Sequence, residues 1–206
     1  MNKHSFTTLA ALAIALCCQN AEAAPLLSVQ LPGNVNNYTT TIGSFFDAEI
    51  YIDDIPDLGG FDFSLTYDSS KLSAVSFTSA SVFGAANTET IDKTLLPGTA
   101  RLSEAISASS SLTQGLAITT PTLLATLHFR ALDLVVDSPL EFFVDANTPI
   151  WSTFDGFSVA GSVQGAFVSI DDAAAAVPLP STILLFAPGA MALFSVKKAK
   201  ANKRPL

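Results

Sequence analysis

The central part of the chain alternates between apolar and polar residues with a period of two, which is typical of a half-buried β-strand. The alternation is clearest in residues 47–53, 61–67 and 123–131. Shorter runs of the same kind occupy residues 72–77, 100–106, 140–144 and 157–170. The apolar residues that we expect on the buried faces of the three clearest runs are Ala48, Ile50, Ile52, Phe61, Phe63, Leu65, Tyr67, Leu123, Ala125, Leu127, Phe129 and Ala131.

Turn-forming residues separate these runs, and the central region lacks the 3.6-residue period of a helix. Residues 53–60 contain three aspartates, a proline and two glycines. This composition predicts a turn between two strands, with Gly59 and Gly60 as turn formers. Several short strands separated by turns predict an all-β sandwich or jelly roll.

The N-terminal segment, residues 1–23, has the order of a secretory signal peptide. Lys3 gives a positive start, and a run of ten apolar residues follows. Ala21 and Ala23 supply small residues at the positions that signal peptidase requires. We therefore expect a signal helix that is removed by cleavage before Ala24.

Two alternatives for this segment stay open. Cys17 or Cys18 would be the acylated residue of a lipoprotein, although Leu16 does not supply the small residue expected before it. The segment would otherwise be an uncleaved helix, for which its apolar run is short. Both cysteines of the chain lie here, so we expect no disulfide in the exported domain.

The C-terminal segment, residues 177–206, has three parts. Val177, Pro178 and Pro180 form a stiff extended stretch, because each proline fixes its own φ and disfavours helix in the preceding residue. Residues 182–196 carry no charge and predict a short transmembrane helix. The segment ends in a basic cluster that includes Lys197, Lys198 and Arg204.

This order of Val-Pro-x-Pro, short apolar helix and basic end resembles the PEP-CTERM sorting signal of Gram-negative bacteria that make exopolysaccharide. The resemblance implies recognition by an exosortase, which is a membrane transpeptidase. The position of the glutamate that names the motif is Leu179 in this chain. Processing by an exosortase and simple anchoring in the membrane are therefore both open.

Charge separates the middle of the chain from its end. Residues 24–176 contain 4 Lys and Arg against 17 Asp and Glu, a formal net charge of −13. Such a domain repels phosphate, so we expect no nucleic acid partner. The basic end suits the cytoplasmic flank of a membrane segment.

Three blocks of the middle region resemble the cohesin domain: residues 45–67, residues 124–132 with 138–140, and residues 163–170. The resemblance covers residues 26–171 and leaves residues 172–176 as a linker to the sorting segment. It implies a nine-stranded jelly roll, related to cellulose-binding modules, that binds a dockerin module through one sheet face. The matching residues are core and turn positions, so no dockerin-contacting residue carries over.

Candidate chemistry in the domain is sparse. Asp53, Asp54 and Asp57 offer oxygen ligands for calcium, although aspartates in a turn also simply cap it. Trp151 and Tyr51 are candidates for stacking on a carbohydrate, with a core position as the alternative for Trp151.

His128 is the one histidine of residues 24–176, which contain no cysteine, so no catalytic set is predicted. The sequence thus predicts an exported, non-catalytic cell-surface or extracellular-matrix protein that binds a dockerin-like protein or exopolysaccharide. The alternative is a carbohydrate-binding module.

Overall fold

The computed structural model describes residues 24–144 and 150–172, and every regular element among them is a β-strand. The predicted all-β class is confirmed. In chain order the strands are β1 (Leu26–Gln30), β2 (Asn37–Thr41), β3 (Phe45–Asp53), β4 (Ile55–Leu58), β5 (Gly60–Tyr67), β6 (Leu72–Ser79), β7 (Thr88–Leu96), β8 (Thr99–Ile106), β9 (Leu116–Ile118), β10 (Thr122–Ala131), β11 (Val135–Phe143), β12 (Trp151–Ser152), β13 (Ser162–Gln164) and β14 (Ala166–Asp171).

These strands form two main sheets. The first sheet has the order β13-β1-β3-β10-β6, and the second has the order β2-β14-β11-β5-β8-β7, with β12 paired to β5. β4 and β9 form a separate two-stranded ribbon. β1 pairs in parallel with β13, and β2 pairs in parallel with β14. Both main sheets therefore join the start of the domain to its end, as a jelly roll does.

The core lies between the two main sheets. The inward residues predicted for β3 and β5 are all buried, from Ala48 to Ile52 and from Phe61 to Tyr67. Tyr67 of the second sheet meets Phe129 of the first edge-to-face, with ring centroids 5.1 Å apart. The period-two pattern therefore predicted the facing of these strands correctly.

β10 departs from simple alternation at Leu124. The pairing of β10 with β3 shifts between Leu123 and Ala125, so Leu124 is the extra residue of a β-bulge. Leu124 is fully buried, whereas Leu123 is only partly buried and lies beside the outward residue Tyr51. The expectation that Leu123 joins the core is wrong, because the bulge reverses the facing of the residues before it.

Residues 53–60 do not form a simple turn. Asp54 has a positive φ of 57° and makes the bend after β3. The residues that follow form β4, which pairs with β9 and buries Ile55 and Leu58. This ribbon adds two strands to the expected jelly roll.

Gly59 and Gly60 are not turn formers. The Gly59 N–H donates to the carbonyl oxygen of Ser152 at 2.8 Å, and a Cβ on Gly59 would meet the backbone of Thr153. Gly60 is the first residue of β5. Glycine is needed at position 59 because two backbone segments approach each other closely there.

The predicted strand over residues 157–170 is two strands. β13 pairs with β1 in the first sheet, whereas β14 pairs with β11 and β2 in the second. The change of sheet occurs at Gly165, where a Cβ would meet the carbonyl oxygen of Leu140. Divisions of this kind explain why the described residues contain 14 strands and not nine.

The predicted signal and sorting segments lie outside the described residues. Ala21 and Ala23 precede those residues, and the positions from Val177 to Arg204 follow them. Within residues 24–144 and 150–172, no helix is long and apolar enough to cross a membrane.

Candidate functional site

The side of the second sheet that faces away from the core is built by alternate residues of β11, β5, β8 and β7. We call this surface the second-sheet face. One row across these four strands consists of Phe143, Ser64, Arg101 and Thr94. The face is therefore assembled from chain segments that are widely separated in the sequence.

Arg101 organises the middle of the second-sheet face. Its Nε and Nη2 donate to the two carboxylate oxygens of Asp62 at 3.1 and 2.7 Å, and its Nη1 lies 3.1 Å from Asp92 Oδ2. The hydrogen bond to Asp62, and then the charges of both carboxylates, raise the pKa of Arg101. This bidentate pair holds three side chains in one geometry at the surface.

Exposed apolar residues flank this charged centre. Phe143 is 63% exposed, and Phe167 of β14 and Leu96 of β7 are also exposed on the same face. Between β7 and β12, a shallow depression of about 130 Å³ lies over Gly60 and Ala105. Aromatic and aliphatic residues beside a fixed polar network are typical of a protein-binding surface.

The outer side of the first sheet, which we call the first-sheet face, carries a different cluster. Phe45 stacks on the ring of His128, with centroids 5.2 Å apart and an interplanar angle of 4°. The Arg130 guanidinium lies 5.8 Å from the centroid of the same Phe45 ring. His128 Nδ1 also lies 2.6 Å from Asp47 Oδ1. His128 and Arg130 thus both lie against the exposed Phe45 ring, and Asp47 holds His128 in place.

Further along β3, the Tyr51 hydroxyl donates a hydrogen bond to Glu49 Oε2 at 2.9 Å. This hydrogen bond, with burial and the charge of Glu49, raises the pKa of Tyr51. Tyr51 is partly buried and its hydroxyl is engaged within the protein. As a ligand candidate, Tyr51 would therefore act by orienting the Glu49 carboxylate.

A groove opens where β1 leaves β3. Their ladder ends at the pair Gln30 and Glu49, so the first residues of β3 face the turn that carries the chain to β2. We call this feature the edge groove, and its volume is about 510 Å³. It is lined by residues 31–34, Tyr38, Phe45, Phe46, Asp47 and Glu49.

Ser76, His128 and Asp47 lie in one row across β6, β10 and β3. These are the residue types of a serine hydrolase triad, and the His128–Asp47 bond is present. Among the described residues, however, Ser76 makes no hydrogen bond to His128. The row lies on an open sheet face, where the backbone N–H groups of β10 serve the ladders with β3 and β6 and do not form an oxyanion hole.

Trp151 is only 2% exposed, and its ring packs against the backbone of Gly161. It pairs with Phe61 on the core side of the second sheet. Trp151 thus occupies a core position, which was the alternative given for it. The prediction that its ring is an exposed stacking platform is wrong. The burial is explained by its place in β12, which is held against β5.

Of the three aspartates predicted as calcium ligands, Asp53 and Asp57 accept hydrogen bonds from backbone N–H groups. Asp57 accepts hydrogen bonds from the N–H groups of Gly115 at 2.8 Å and Phe154 at 3.2 Å. Asp53 accepts the N–H of Asp54 at 3.0 Å. Within residues 24–144 and 150–172, no group of three or more acidic, histidine or cysteine side chains is arranged to hold a metal ion.

Sequence reasoning missed the residues that dominate the two faces. Phe45 and Phe143 stand at outward positions of alternating runs, and an aromatic residue at such a position is the signal that would have found them. The bond between Arg101 and Asp62 has no such signal, because it depends on the register of β5 with β8.

The comparison with known families decides the identity of this fold. The sequence profile of the cohesin domain matches residues 33–139, just over half of the chain. The chain belongs to the cohesin family. A search of curated proteins gives no match to this cohesin.

Solved structures share the cohesin fold. A non-cellulosomal cohesin from the archaeon Archaeoglobus fulgidus matches with a TM-score of 0.54 and 15% identity, over 73% of this chain and 93% of that one. A type I cohesin–dockerin complex from Clostridium thermocellum matches with a TM-score of 0.56 and 14% identity, over 75% and 98%. A type II cohesin of the Acetivibrio cellulolyticus cellulosome matches with a TM-score of 0.53 and 18% identity, over 70% and 95%. At these identities the likeness shows the fold alone.

Proposed function

We propose that this cohesin is a non-catalytic binding module that recognises a dockerin-like protein through its second-sheet face. The observation that carries the proposal is the exposed Phe143 beside the fixed network of Arg101, Asp62 and Asp92. Family membership supports it, as do structural neighbours that were solved in complex with dockerins.

Physical reasons favour this face for a protein partner. A phenylalanine that projects from a rigid strand loses little conformational freedom on binding, so it is suited to be an anchor residue. The Arg101 network provides polar groups whose geometry is fixed before the partner arrives. The acidic charge of the domain adds attraction for a basic partner surface.

Titration calorimetry of the full chain with a purified type I dockerin, and separately with a type II dockerin, tests the proposal. We expect one of the two to bind. Phe143→Ala should weaken that binding at least about tenfold, which corresponds to roughly 1.4 kcal/mol. Phe45→Ala is the matched control, because it removes another exposed phenylalanine from the first-sheet face.

The melting temperature of both variants should equal that of the parent, since neither ring is in the core. Absence of binding to both dockerins would refute the proposed partner. An equal loss of affinity in Phe143→Ala and Phe45→Ala would refute the proposed face.

We further propose that the protein is exported and sorted to the cell surface or extracellular matrix. The support is the signal peptide pattern before Ala24 and the PEP-CTERM-like order of residues 177–206. An exosortase-type enzyme would recognise the segment in the membrane. The short apolar stretch, broken by Pro188 and Gly189, suits a transient anchor better than a permanent one.

Expression of a chain without residues 177–206 in its host tests the sorting proposal. We expect this truncated protein in the medium, with the melting temperature of the intact protein, whereas the full chain should fractionate with the envelope. Substitution of Lys197 and Lys198 by Gln is a milder variant that should mislocalise part of the protein. Retention of the truncated protein in the membrane would contradict the proposal.

Carbohydrate binding is the second candidate function. Burial of Trp151 removes the platform that the sequence nominated, so the support comes from elsewhere. The edge groove favours this function, because exposed Phe45 and partly buried Tyr38 lie there beside carboxylates.

A further inference from the structure

We propose that the edge groove binds a neutral sugar residue of a polysaccharide chain. This inference rests on the second candidate function and does not depend on recognition of a dockerin. The groove lies beside the first residues of β3 in the first sheet, whereas the second-sheet face is formed by other strands. One domain would therefore hold a protein partner and a glycan at separate surfaces.

The shape of the groove suits a small rigid ligand. Its volume of about 510 Å³ lies within the range typical of ligand sites. Leu31 and Phe46, both buried, form an apolar base. One wall is a tight turn in which Gly33 and Asn34 both have positive φ, and the Leu31 N–H donates to the Val35 carbonyl oxygen at 2.9 Å. The wall is thus fixed by its own hydrogen bonds.

The rim presents acceptors for hydroxyl groups. Asp47 uses Oδ1 for the bond with His128, and Glu49 uses Oε2 for the bond from Tyr51. Among the described residues, no hydrogen bond uses the second oxygen of either carboxylate, so that oxygen can accept one from a ligand. Because both carboxylates are held by a neighbour, little entropy is lost when sugar hydroxyls donate to them.

The rings supply the apolar contact that the C–H face of a sugar needs. Phe45 is 54% exposed and is kept in place by the stack with His128. Tyr38 is held against Phe46, with ring centroids 5.5 Å apart. Rigid rings beside fixed acceptors match a polyhydroxylated ring that has both apolar and hydrogen-bonding sides.

The charges around the groove have both signs, because Asp47 and Glu49 line it and a guanidinium lies over Phe45. The Arg130 guanidinium lies over Phe45, and His128 already contacts Asp47. A lysine side chain that entered beside Phe45 would be repelled by Arg130 but attracted by the second carboxylate oxygens of Asp47 and Glu49. A lysine-rich peptide is therefore the competing ligand, and the rigid rings of the groove are what favours a sugar.

Titration calorimetry of the full chain with neutral hexasaccharides of glucose, mannose, xylose and galactose tests the site. We expect at least one to bind. Phe45→Ala and Glu49→Gln should each weaken that binding at least about tenfold. Phe143→Ala is the matched control and should leave it unchanged. Equal melting temperatures would show that each variant is folded.

Failure of all four hexasaccharides to bind would overturn the proposal, as would full binding by Phe45→Ala. Binding of a lysine-rich peptide that depends on Phe45, in place of any sugar, would overturn it in favour of a basic protein partner. Titration of the same samples with dockerin separates this result from the main proposal. Phe45→Ala should lose sugar binding and keep dockerin binding, and Phe143→Ala should do the reverse.

Discussion

Gly59 is a residue at which a Cβ would meet only backbone atoms of a neighbouring segment. A side chain there would meet the carbonyl group of Thr153 and the Cα of Phe154, and backbone atoms cannot rotate away. We expect Gly59→Ala to lower the free energy of unfolding by about 3 kcal/mol, which is the upper range for overpacking. Urea denaturation measures this cost.

Gly60→Ala is the control, because its nearest contacts, the Cβ of Ala105, the carbonyl oxygen of Glu104 and the Ser152 hydroxyl, are at 3.2–3.3 Å, about 1 Å farther than the nearest contact at Gly59. Its cost should be about 1 kcal/mol. Equal costs at positions 59 and 60 would contradict the account of the close approach.

Asp133 gives the domain a pH dependence whose sign follows from its contacts. The hydrogen bond from Lys71 Nζ, followed by the Leu134 N–H and the charge of Lys71, lowers the pKa of Asp133. A carboxyl whose pKa is lower in the folded state stabilises the fold above its ordinary pKa. That stabilisation is lost as the pH falls through the lower, folded-state value.

We therefore expect the melting temperature to fall between about pH 5 and pH 2, and to fall less steeply in Asp133→Asn. Lys71→Met removes the same hydrogen bond and should flatten the profile in the same way. Identical profiles in the parent and both variants would show that this pair does not contribute.

At the same scale, the aspartates near β4 show where prediction from the sequence ended. Composition indicated correctly that Asp54 lies in a bend. The role of Asp57 was out of reach, because its partners Gly115 and Phe154 are brought to it only by the pairing of β4 with β9 and of β12 with β5. The sequence alone does not distinguish a carboxylate that accepts hydrogen bonds from distant backbone N–H groups from one that binds a metal.

The strands that alternate cleanly were predicted in position and facing, and the irregular ones were not. β7 is an edge strand with little burial on either side, so it lacks the period-two signal. The bulge in β10 has two adjacent leucines, and the alternation gives no reason to prefer one of them. Short strands such as β9 depend entirely on their partner.

The bulge makes a prediction that separates these two leucines. Leu124→Ala should lower the free energy of unfolding by about 3 kcal/mol, because it removes a fully buried side chain. Leu123→Ala should cost less than about 1 kcal/mol, because Leu123 is on the outward side of β10. Denaturant titration of both variants provides the comparison, and the reverse order would place Leu123 in the core.

For the whole molecule, the sequence blocks were sufficient to predict a cohesin-like sandwich, and the profile match confirmed it. The surfaces could not be predicted, because each combines residues from strands that pair across the domain. Phe143, Arg101 and Asp62 lie on one face only through the order β11-β5-β8-β7. The edge groove likewise exists only because the antiparallel ladder with β1 stops at Glu49, so β1 does not cover the first residues of β3.

The central claim is that a dockerin-like partner binds the second-sheet face. Hydrogen–deuterium exchange of the full chain, with and without a saturating dockerin, tests it directly. We predict slower exchange in β5, β8 and β11, with unchanged exchange in β3 and β10. Protection confined to β3 and β10, or no change anywhere in the domain, would contradict the claim.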